Sequence, residues 1–286
     1  MSTPLKEQIA KKVEKPTPLS KIYEMFPEKA NTTIRARIYE NLGELFEKLE
    51  RGVYVGKIKD SEVAVVKGDA WEELSKLEDN SFDMILADPP YPWLDHHVKT
   101  GTTRKKDNEL SFETKEPDKE LLEEFRRVLK RGGHCFIFVP SLNKDTLEPE
   151  IDLIQTAQDS GFNFNKYFVW NKECIGMGYN GRAKYEGVLF LSKGKRRMPI
   201  DKSIPDLISE KRIYHGHKDH ETEKPVGLLE KLVKFSTKEG ETVLDPFAGS
   251  GSTGEACINL SRNCVLIERE QKFIDDMIIP RLSKKQ

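Results

Sequence analysis

The chain has 286 residues, of which 37% are hydrophobic and 33% charged, and its formal net charge is −1 at pH 7. This length and apolar content suit one large domain with a smaller appended module. The near-neutral charge excludes attraction of a polyanion by the average surface, so any such partner must be met by local basic patches.

The four cysteines form no Cys-x-x-Cys pair and the histidines have no metal-ligand spacing. We therefore predict neither a disulfide framework nor a bound metal. The N-terminal segment is lysine-rich and polar, and no run of about 18 apolar residues occurs, which predicts a soluble, cytoplasmic protein without a membrane segment.

Residues 1–60 divide into a tail and a small module. Residues 1–16 mix lysine, glutamate, threonine and proline with little periodicity, which predicts a flexible tail. Residues 17–60 have the pattern of two helices followed by a turn and a strand, the order of a winged helix, and this would place Arg35 and Arg37 near the start of a DNA-reading helix. A small helical cap with two solvated arginines is the alternative.

Residues 61–286 alternate short apolar runs with amphipathic helices, which predicts an α/β fold, a doubly wound and mostly parallel sheet. The predicted strands are Val63–Lys67, Phe82–Ala87, His134–Val139, Phe164–Trp170, Gly187–Ser192, Thr242–Leu244 and Cys264–Glu268. Helices are predicted at Lys119–Leu129 and Pro149–Ser160. Two polar segments, Pro92–Pro117 and residues 193–222, are long for loops of a compact domain, and such loops are commonly functional or disordered.

A glycine-rich loop follows the predicted strand at Thr242. Gly249-Ser250-Gly251-Ser252-Thr253-Gly254 has dinucleotide-binding spacing, and Glu268 ends the next strand. The spacing alone does not separate a nicotinamide cofactor from S-adenosylmethionine. The preceding Asp245-Pro246-Phe247-Ala248 favours S-adenosylmethionine, because a carboxylate there would repel a pyrophosphate and attract a cationic amino group. Glu268 could then accept both ribose hydroxyls, or be a solvated carboxylate in a turn.

A second short segment, Asp88-Pro89-Pro90-Tyr91, ends the strand predicted at Phe82–Ala87. The amino group on a nucleobase is a poor nucleophile, and acceptors for its N–H bonds would direct its lone pair toward an electrophilic methyl group. The Asp88 side chain and the Pro89 carbonyl can be those acceptors, Pro90 fixes the turn and Tyr91 can stack on the base. Such a base must leave the duplex to be reached. The alternative is a tight turn without a catalytic role.

Further segments accompany the loop and the tetrapeptide in order: Gly68-Asp69-Ala70-Trp71, Arg127-Val128-Leu129-Lys130-Arg131-Gly132-Gly133, Trp170-Asn171-Lys172, Tyr185-Glu186-Gly187-Val188-Leu189 and Lys224-Pro225-Val226-Gly227-Leu228-Leu229. Over about residues 63–282 the chain thus resembles the amino-methylating DNA methyltransferases that act on N6 of adenine or N4 of cytosine. In particular it resembles their circularly permuted β-type group, in which the catalytic tetrapeptide precedes the cofactor loop.

The resemblance implies roles for individual residues. The target amine would be bound by Asp88, Pro89, Pro90 and Tyr91, and S-adenosylmethionine would be bound by Asp69, Lys224, Pro225, Asp245, Phe247, Gly249, Ser250, Gly251 and Glu268. Residues 193–222 occupy the place of this group's target-recognition region, so Lys195, Arg196, Arg197 and Arg212 become candidates for contacts with double-stranded DNA. The Asp-Pro-Pro-Tyr form favours adenine as the target. The resemblance also implies a homodimer, and it leaves a cognate restriction endonuclease as an open partner.

Other functions stay open on the sequence alone. A methyltransferase of this kind could act on N4 of cytosine or on adenine in RNA. An NAD-linked oxidoreductase shares the glycine spacing but gives no role to Asp88-Pro89-Pro90-Tyr91. A non-catalytic DNA-binding regulator built on a methyltransferase core is disfavoured by the presence of both segments.

Overall fold

The computed structural model describes residues 5–13, 17–39, 46–50, 53–56, 61–90, 117–174, 181–213 and 223–283. The chain forms two compact units, Met1–Asp60 and Ser61–Gln286. Tyr91, nearly all of the predicted Pro92–Pro117 loop and residues 214–222 lie outside the described residues. Within the described part of the chain, no helix has the length and apolar character needed to cross a membrane.

The described part of the N-terminal unit contains helices and short strands in the order α1 (Leu5–Lys12), β1 (Thr17–Pro18), α2 (Leu19–Glu24), α3 (Asn31–Tyr39), β2 (Phe46–Glu50) and β3 (Val53–Gly56). Strand β3 lies between β1 and β2 and is antiparallel to both. Apolar side chains from the helices and the segments that join them form its core: Ile9, Ala10, Val13, Ile22, Phe26, Ile34 and Ile38.

Helix α1 differs from the flexible tail that was predicted over residues 1–16. Ile9 and Val13 are four residues apart, so they lie on one face, and both are fully buried in the core of this unit. Burial of two aliphatic side chains contributes roughly 3 kcal/mol or more, which offsets much of the entropy lost when the segment orders. The many polar residues of the segment conceal this short apolar stripe in the sequence.

The C-terminal unit contains an eight-stranded sheet in the order β4-β11-β10-β5-β6-β8-β7-β9. Its elements are β4 (Val63–Lys67), α4 (Ala70–Leu74), β5 (Phe82–Ala87), α5 (Lys119–Val128), β6 (Leu129–Val139), α6 (Leu147–Asp159), β7 (Phe162–Asn171), β8 (Tyr185–Lys193), β9 (Leu207–Ser209), α7 (Val226–Ser236), β10 (Thr242–Asp245), α8 (Ser252–Leu260), β11 (Asn263–Glu268), α9 (Gln271–Phe273), a π-helical turn (Ile274–Ile278) and α10 (Ile279–Ser283). Among these described strands, only β8 runs antiparallel to its neighbours, β6 and β7. The predicted α/β fold with a mostly parallel sheet is confirmed.

Helices cover both faces of this sheet, because its central strands are apolar on both sides. Every residue of β5 is buried. Met84 and Leu86 point into a core shared with α7 and α8, whereas Ile85 and Ala87 point into a core shared with α5 and α6. The two-residue period of a strand distributes these side chains to opposite faces.

The strand order reverses between β5 and β10, which are parallel neighbours paired at Ile85 and Leu244. From β5 the chain continues through α5 to β6 on one side, and from β10 it continues through α8 to β11 on the other. Ligands of open α/β sheets bind beyond the carboxyl ends of the strands at such a reversal. Asp88 follows β5 and Asp245 ends β10, so both lie at this position.

Candidate functional site

A cavity of about 700 Å³ lies along the carboxyl ends of the parallel strands in the C-terminal unit. Residues that follow or end β4, β5, β6, β7, β10 and β11 line it, together with Glu186 of the antiparallel β8 and the segment before α7. Its lining includes most of the predicted site: Asp69, Asp88, Pro89, Pro90, Arg212, Lys224, Asp245, Phe247, Gly249, Ser250 and Glu268. Pro225 and Gly251 do not line it. The sheet thus brings residues from distant parts of the sequence to one edge.

We call the part of the cavity lined by Asp88, Pro89 and Pro90 the tetrapeptide half, and the part lined by residues 245–250 and Glu268 the loop half. The tetrapeptide half contains an ion pair. Lys224 Nζ lies 2.5 Å from Asp88 Oδ2 and 3.5 Å from Glu186 Oε2, and it also lies 5.1 Å from the centre of the Phe138 ring. Lys172 Nζ lies 3.3 Å from the other oxygen, Oε1, of Glu186. The resemblance implies that Lys224 binds the cofactor, and in the structure the ammonium group of Lys224 contacts the Asp88 carboxylate.

Burial and these neighbours set the protonation states. Burial raises the pKa of Asp88 above its usual value, although Lys224 acts in the opposite direction. Burial opposes the charge of Lys224 as well, but Asp88 and Glu186 more than compensate and raise the pKa of this lysine. Burial would raise the pKa of Glu186, yet Lys224 and Lys172 lower it overall. Glu186 and Lys224 are therefore charged at neutral pH, whereas Asp88 takes a proton more readily than an ordinary aspartate does.

The glycine loop is tied to the neighbouring strand β11. The N–H of Ala248 donates to the Ile267 carbonyl at 2.9 Å, and the N–H of Gly249 donates to Glu268 Oε2 at 2.7 Å. The other carboxylate oxygen, Oε1, accepts the N–H of Glu270 at 2.8 Å. Glu268 is only 8% exposed, and burial raises its pKa. Each carboxylate oxygen has a further lone pair, so Glu268 can still accept hydroxyl groups from the cavity.

The first carboxylate of the loop, Asp245, is 5% exposed and accepts the N–H of Phe247 at 3.0 Å through Oδ1. Burial raises the pKa of Asp245 to about 7. A cationic group in the cavity would favour the ionised form, so binding of such a group is linked to loss of this proton. The arrangement suits the amino group of a methionine moiety.

An aromatic wall closes the other end of the cavity. The rings of Trp71 and Phe247 meet edge to face with centroids 5.8 Å apart. Asp69 caps helix α4, because its Oδ1 accepts the N–H of Trp71 at 3.0 Å, and its Oδ2 lies 3.8 Å from Arg269. Trp71, Phe247 and the Asp69 carboxylate offer stacking and hydrogen-bonding groups for a flat heterocycle such as adenine.

Gly251 and Gly254 permit the close packing that carries the loop into α8. Gly251 has φ +77°, and a Cβ atom there would lie 3.2 Å from the side chain of Ile278. A Cβ atom on Gly254 would lie 2.9 Å from Leu266 on β11. The first glycine therefore supplies a left-handed turn, and the second lets the helix approach the strand.

We expect Gly251→Ala to lower the free energy of unfolding by about 3 kcal/mol, because it combines left-handed backbone strain with the contact to Ile278. Gly240→Ala is the matched control: Gly240 has φ +79°, but no atom lies within 4 Å of the added Cβ, so only the strain of about 1 kcal/mol applies. Urea denaturation of both variants measures the difference. Equal losses would show that packing at Gly251 is unimportant.

The fold separates the four basic residues of the C-terminal unit that are candidates for DNA contacts. The backbone N–H of Arg197 donates to the Gly132 carbonyl at 3.1 Å, and Gly132 lies near the amino end of β6. Lys195, Arg196 and Arg197 therefore lie at the amino ends of the parallel strands, whereas the cavity lies at their carboxyl ends. The Arg197 guanidinium donates to the carbonyls of Asp83 and Ser236 and pairs with Glu241. These three residues therefore lie away from the cavity, and the guanidinium of Arg197 links neighbouring segments of the sheet unit. Arg212 does line the cavity.

Arg35 and Arg37 lie in the other unit, on helix α3. Ile34 and Ile38 of this helix are buried in the N-terminal core, whereas Arg35, Arg37 and the residues of the first turn are exposed. The helix therefore presents a polar and basic face to solvent.

The structure adds Glu186, Lys172 and Glu223 to the site. The first two belong to segments noted in the sequence without a role, and the signal for Glu186 was a charge at the start of an otherwise apolar strand. Glu223 is 8% exposed, and it lies within 3.3 Å of Ser252 at the start of α8 and pairs with Arg281 of α10. Within the described residues, no cluster of three or more histidine, cysteine or acidic side chains could hold a metal ion.

Comparisons with known protein sequences match this chain to DNA methylases. A family model described as DNA methylase matches residues 82–279. The chain is 30% identical over 252 residues to the Type II methyltransferase M.HinfI of Haemophilus influenzae, an alignment that covers 76% of this chain and 68% of that relative.

Solved structures have the same architecture. TTHA0409 of Thermus thermophilus, complexed with S-adenosyl-L-methionine, matches with a TM-score of 0.56 and 18% identity over 78% of this chain and 95% of its own. PvuII DNA methyltransferase, described as cytosine-N4-specific, matches with a TM-score of 0.57 and 17% identity over 75% and 84%. At these identities the structural likeness shows a common fold.

Proposed function

We propose that this chain, which belongs to the DNA methylase family whose members methylate N6 of adenine or N4 of cytosine, transfers the methyl group of S-adenosylmethionine to N6 of adenine in a specific sequence of double-stranded DNA. The observation that carries this assignment is the placement of Asp88 and of the Asp245–Ser250 segment of the glycine loop in one cavity at the reversal of strand order. The order of the two segments along the chain, with the tetrapeptide first, supports the circularly permuted β-type arrangement.

S-adenosylmethionine supplies a methyl group on a positively charged sulfur when it is bound. The residues of the loop half fit its parts: Trp71, Phe247 and Asp69 for adenine, Glu268 for the ribose, and Asp245 for the amino group. No metal or covalent enzyme intermediate is required, since the leaving group is already activated. The protein binds the two reactants in line and excludes water.

The tetrapeptide half orients the target amine. Asp88 Oδ2 is bound by Lys224, which leaves Oδ1 and the Pro89 carbonyl as acceptors for the two N–H bonds of an exocyclic amino group. The nitrogen lone pair is then directed toward the methyl group. A target base can reach this position only after it leaves the duplex, so the proposal includes base flipping. Tyr91 remains the proposed stacking partner for that base.

Adenine is the proposed target because the tetrapeptide is Asp-Pro-Pro-Tyr, the form that the family resemblance links with N6 methylation. An in vitro assay separates it from the alternatives. Plasmid DNA from a methylation-free host is incubated with the protein and deuterium-labelled methyl donor, and its nucleosides are identified by mass spectrometry. Labelled N6-methyladenine supports the proposal, and labelled N4-methylcytosine overturns the choice of base. Label only in a parallel RNA sample would overturn DNA as the substrate.

We further propose that residues 17–60 act as a winged-helix-like DNA-binding module. The succession of α2, α3 and the β2–β3 hairpin, together with the exposed basic face of α3, supports this assignment. The proposal places the enzyme in the cytoplasm, with DNA and the cofactor. Neither a homodimer nor a partner endonuclease is supported by an observation on the described residues, and neither is part of the proposal.

We expect the double variant Arg35→Ala/Arg37→Ala to bind DNA about tenfold more weakly, with a slope of log affinity against log salt reduced by about one to two, because two phosphate-binding charges are lost. Its affinity for the cofactor should be unchanged. Lys21→Ala, which removes an exposed charge from α2 of the same unit, is the control. Fluorescence anisotropy with labelled duplex DNA measures both effects. Identical salt slopes for wild type and double variant would show that Arg35 and Arg37 do not bind DNA and that α3 has only a structural role.

A further inference from the structure

Four side chains of alternating charge form a line that begins at the proposed catalytic carboxylate. Asp88 contacts Lys224 at 2.5 Å, Lys224 contacts Glu186 at 3.5 Å, and Glu186 contacts Lys172 at 3.3 Å. The lysines are the most buried members, with side chains only 11% and 12% exposed. We call these four residues the charge line.

The charge line is assembled from four separate places in the chain. Asp88 follows β5, Lys172 follows β7, Glu186 is the second residue of β8, and Lys224 precedes α7. Strands β7 and β8 pair Trp170 with Glu186, which places Lys172 diagonally beside Glu186. The positions of Glu186 and Lys172 are thus fixed by the register of β7 and β8, and Lys224 bridges Glu186 and Asp88.

We propose that Glu186 and Lys172 are positioning residues that control, through Lys224, the charge that Asp88 presents to the incoming amine. This inference rests on the proposed role of Asp88 as the amine acceptor. A partly buried line of two acids and two bases is a poor way to stabilise a fold, because apolar side chains packed in place of buried ion pairs are often neutral or better. A role in the reaction explains why such an arrangement surrounds this carboxylate.

The proposed effect has a clear direction at each residue. Lys224 favours the ionised form of Asp88, whereas burial and the negative charge of Glu186 oppose it. Lys172 partly neutralises the negative charge of Glu186, so Glu186 competes less with Asp88 for the ammonium group of Lys224. Removing the Glu186 charge should therefore lower the pKa of Asp88, and removing the Lys172 charge should raise it.

The charge on Asp88 matters because the reaction releases a proton. The amine nitrogen gives its lone pair to the methyl carbon, the electrons of the broken carbon–sulfur bond remain on sulfur, and the nitrogen loses one proton. An ionised Asp88 can accept both the N–H hydrogen bond and then this proton, which it passes to water. A protonated Asp88 would have lost part of this capacity before the amine arrived.

Other charged groups also face this region, and they are unchanged in the proposed variants. They are Arg212 after β9, Glu223 before α7, Asp245 at the end of β10, and Glu268 at the end of β11. The negative charge of Asp88 contributes to the raised pKa of Asp245, so the ionisation of one of these carboxyl groups affects that of the other. The comparison must therefore be made between variants of the charge line at one cofactor concentration.

The experiment compares Glu186→Gln and Lys172→Met by the pH dependence of single-turnover methyl transfer to plasmid DNA from a methylation-free host. We expect the acid limb of the rate profile to move down by about one pH unit in Glu186→Gln and up by a similar amount in Lys172→Met. Lys172→Arg keeps the positive charge at this position, so the acid limb of its rate profile should lie at the wild-type pH. Glu210→Gln, which breaks the Glu210–Lys231 pair outside the cavity, should leave the limb in place.

A second measurement follows the same shifts without catalysis. Carbon-13 NMR titration of aspartate carboxyl groups, with Asp88→Asn to assign the signal, gives the pKa of Asp88 in each variant that folds. Shifts in opposite directions support the inference, whereas no shift, or a shift in one common direction, overturns it. Full methyl transfer by Asp88→Asn would instead refute the proposed role of Asp88 itself, so the two failures are distinguishable.

Discussion

Replacement of Asp88 by alanine is expected to reduce methyl transfer by about 10³-fold or more, while affinity for S-adenosylmethionine changes little. The side chain is the proposed acceptor for the target amine, and loss of one such group at a reacting centre commonly has this effect. It lies in the tetrapeptide half of the cavity, apart from the groups of the loop half that fit the cofactor. Turnover with a labelled methyl donor and calorimetric titration of the cofactor measure the two quantities.

The alanine variant also leaves Lys224 with Glu186 as its remaining contact within the charge line. Asp88→Asn preserves the shape of the side chain and serves as the control for that disturbance. Both variants should bind the cofactor and fail in methyl transfer. A fully active Asp88→Ala would remove this carboxylate from the mechanism, and equal loss of cofactor binding would show that it acts in folding of the site.

Glu268→Ala is expected to weaken S-adenosylmethionine binding about 100-fold. Glu268 holds the N–H of Gly249 and would accept the ribose hydroxyls, and each hydrogen bond to a charged group contributes about 1.5 kcal/mol or more. Isothermal titration calorimetry measures the loss. The catalytic rate at saturating cofactor should fall much less, because Glu268 does not contact the target amine.

A cofactor product analogue that lacks ribose hydroxyls separates the two roles of Glu268. Wild type should bind S-adenosylhomocysteine more tightly than its deoxyribose analogue, whereas Glu268→Ala should discriminate little between them. Glu270→Gln is the matched control, since Glu270 lies two residues on and its backbone N–H, not its carboxylate, contacts Glu268. If Glu268→Ala retains the wild-type preference, the residue acts only by anchoring the glycine loop.

The sequence predicts the sheet and the position of the glycine loop well because their signals are local. The predicted strands Val63–Lys67 and Phe82–Ala87 coincide with β4 and β5, and Gly249, Gly251 and Glu268 follow a strand–loop–helix spacing that can be read directly. Strand β9 has only three residues, too few to show a period, and it was not predicted. Helix α1 was missed for a related reason, since two buried aliphatic residues give a weak pattern.

The charge line and the position of the basic residues could not be predicted in the same way. Lys195, Arg196 and Arg197 have the composition of a DNA contact, but the direction of β8 carries the chain to the far edge of the sheet before it reaches them. Glu186 enters the site for the converse reason: β8 is antiparallel, so its first residues lie where the parallel strands end. Both outcomes depend on strand direction, which local sequence does not encode.

The most direct test of adenine methylation by this protein is single-molecule sequencing of plasmid DNA recovered from a methylation-deficient host that expresses it, with Asp88→Ala as the parallel control. We predict N6-methyladenine at one recurrent sequence with the wild type and none with the variant. N4-methylcytosine at a recurrent sequence would contradict the adenine assignment, and unmodified DNA from cells that contain the folded protein would contradict the proposed reaction on DNA.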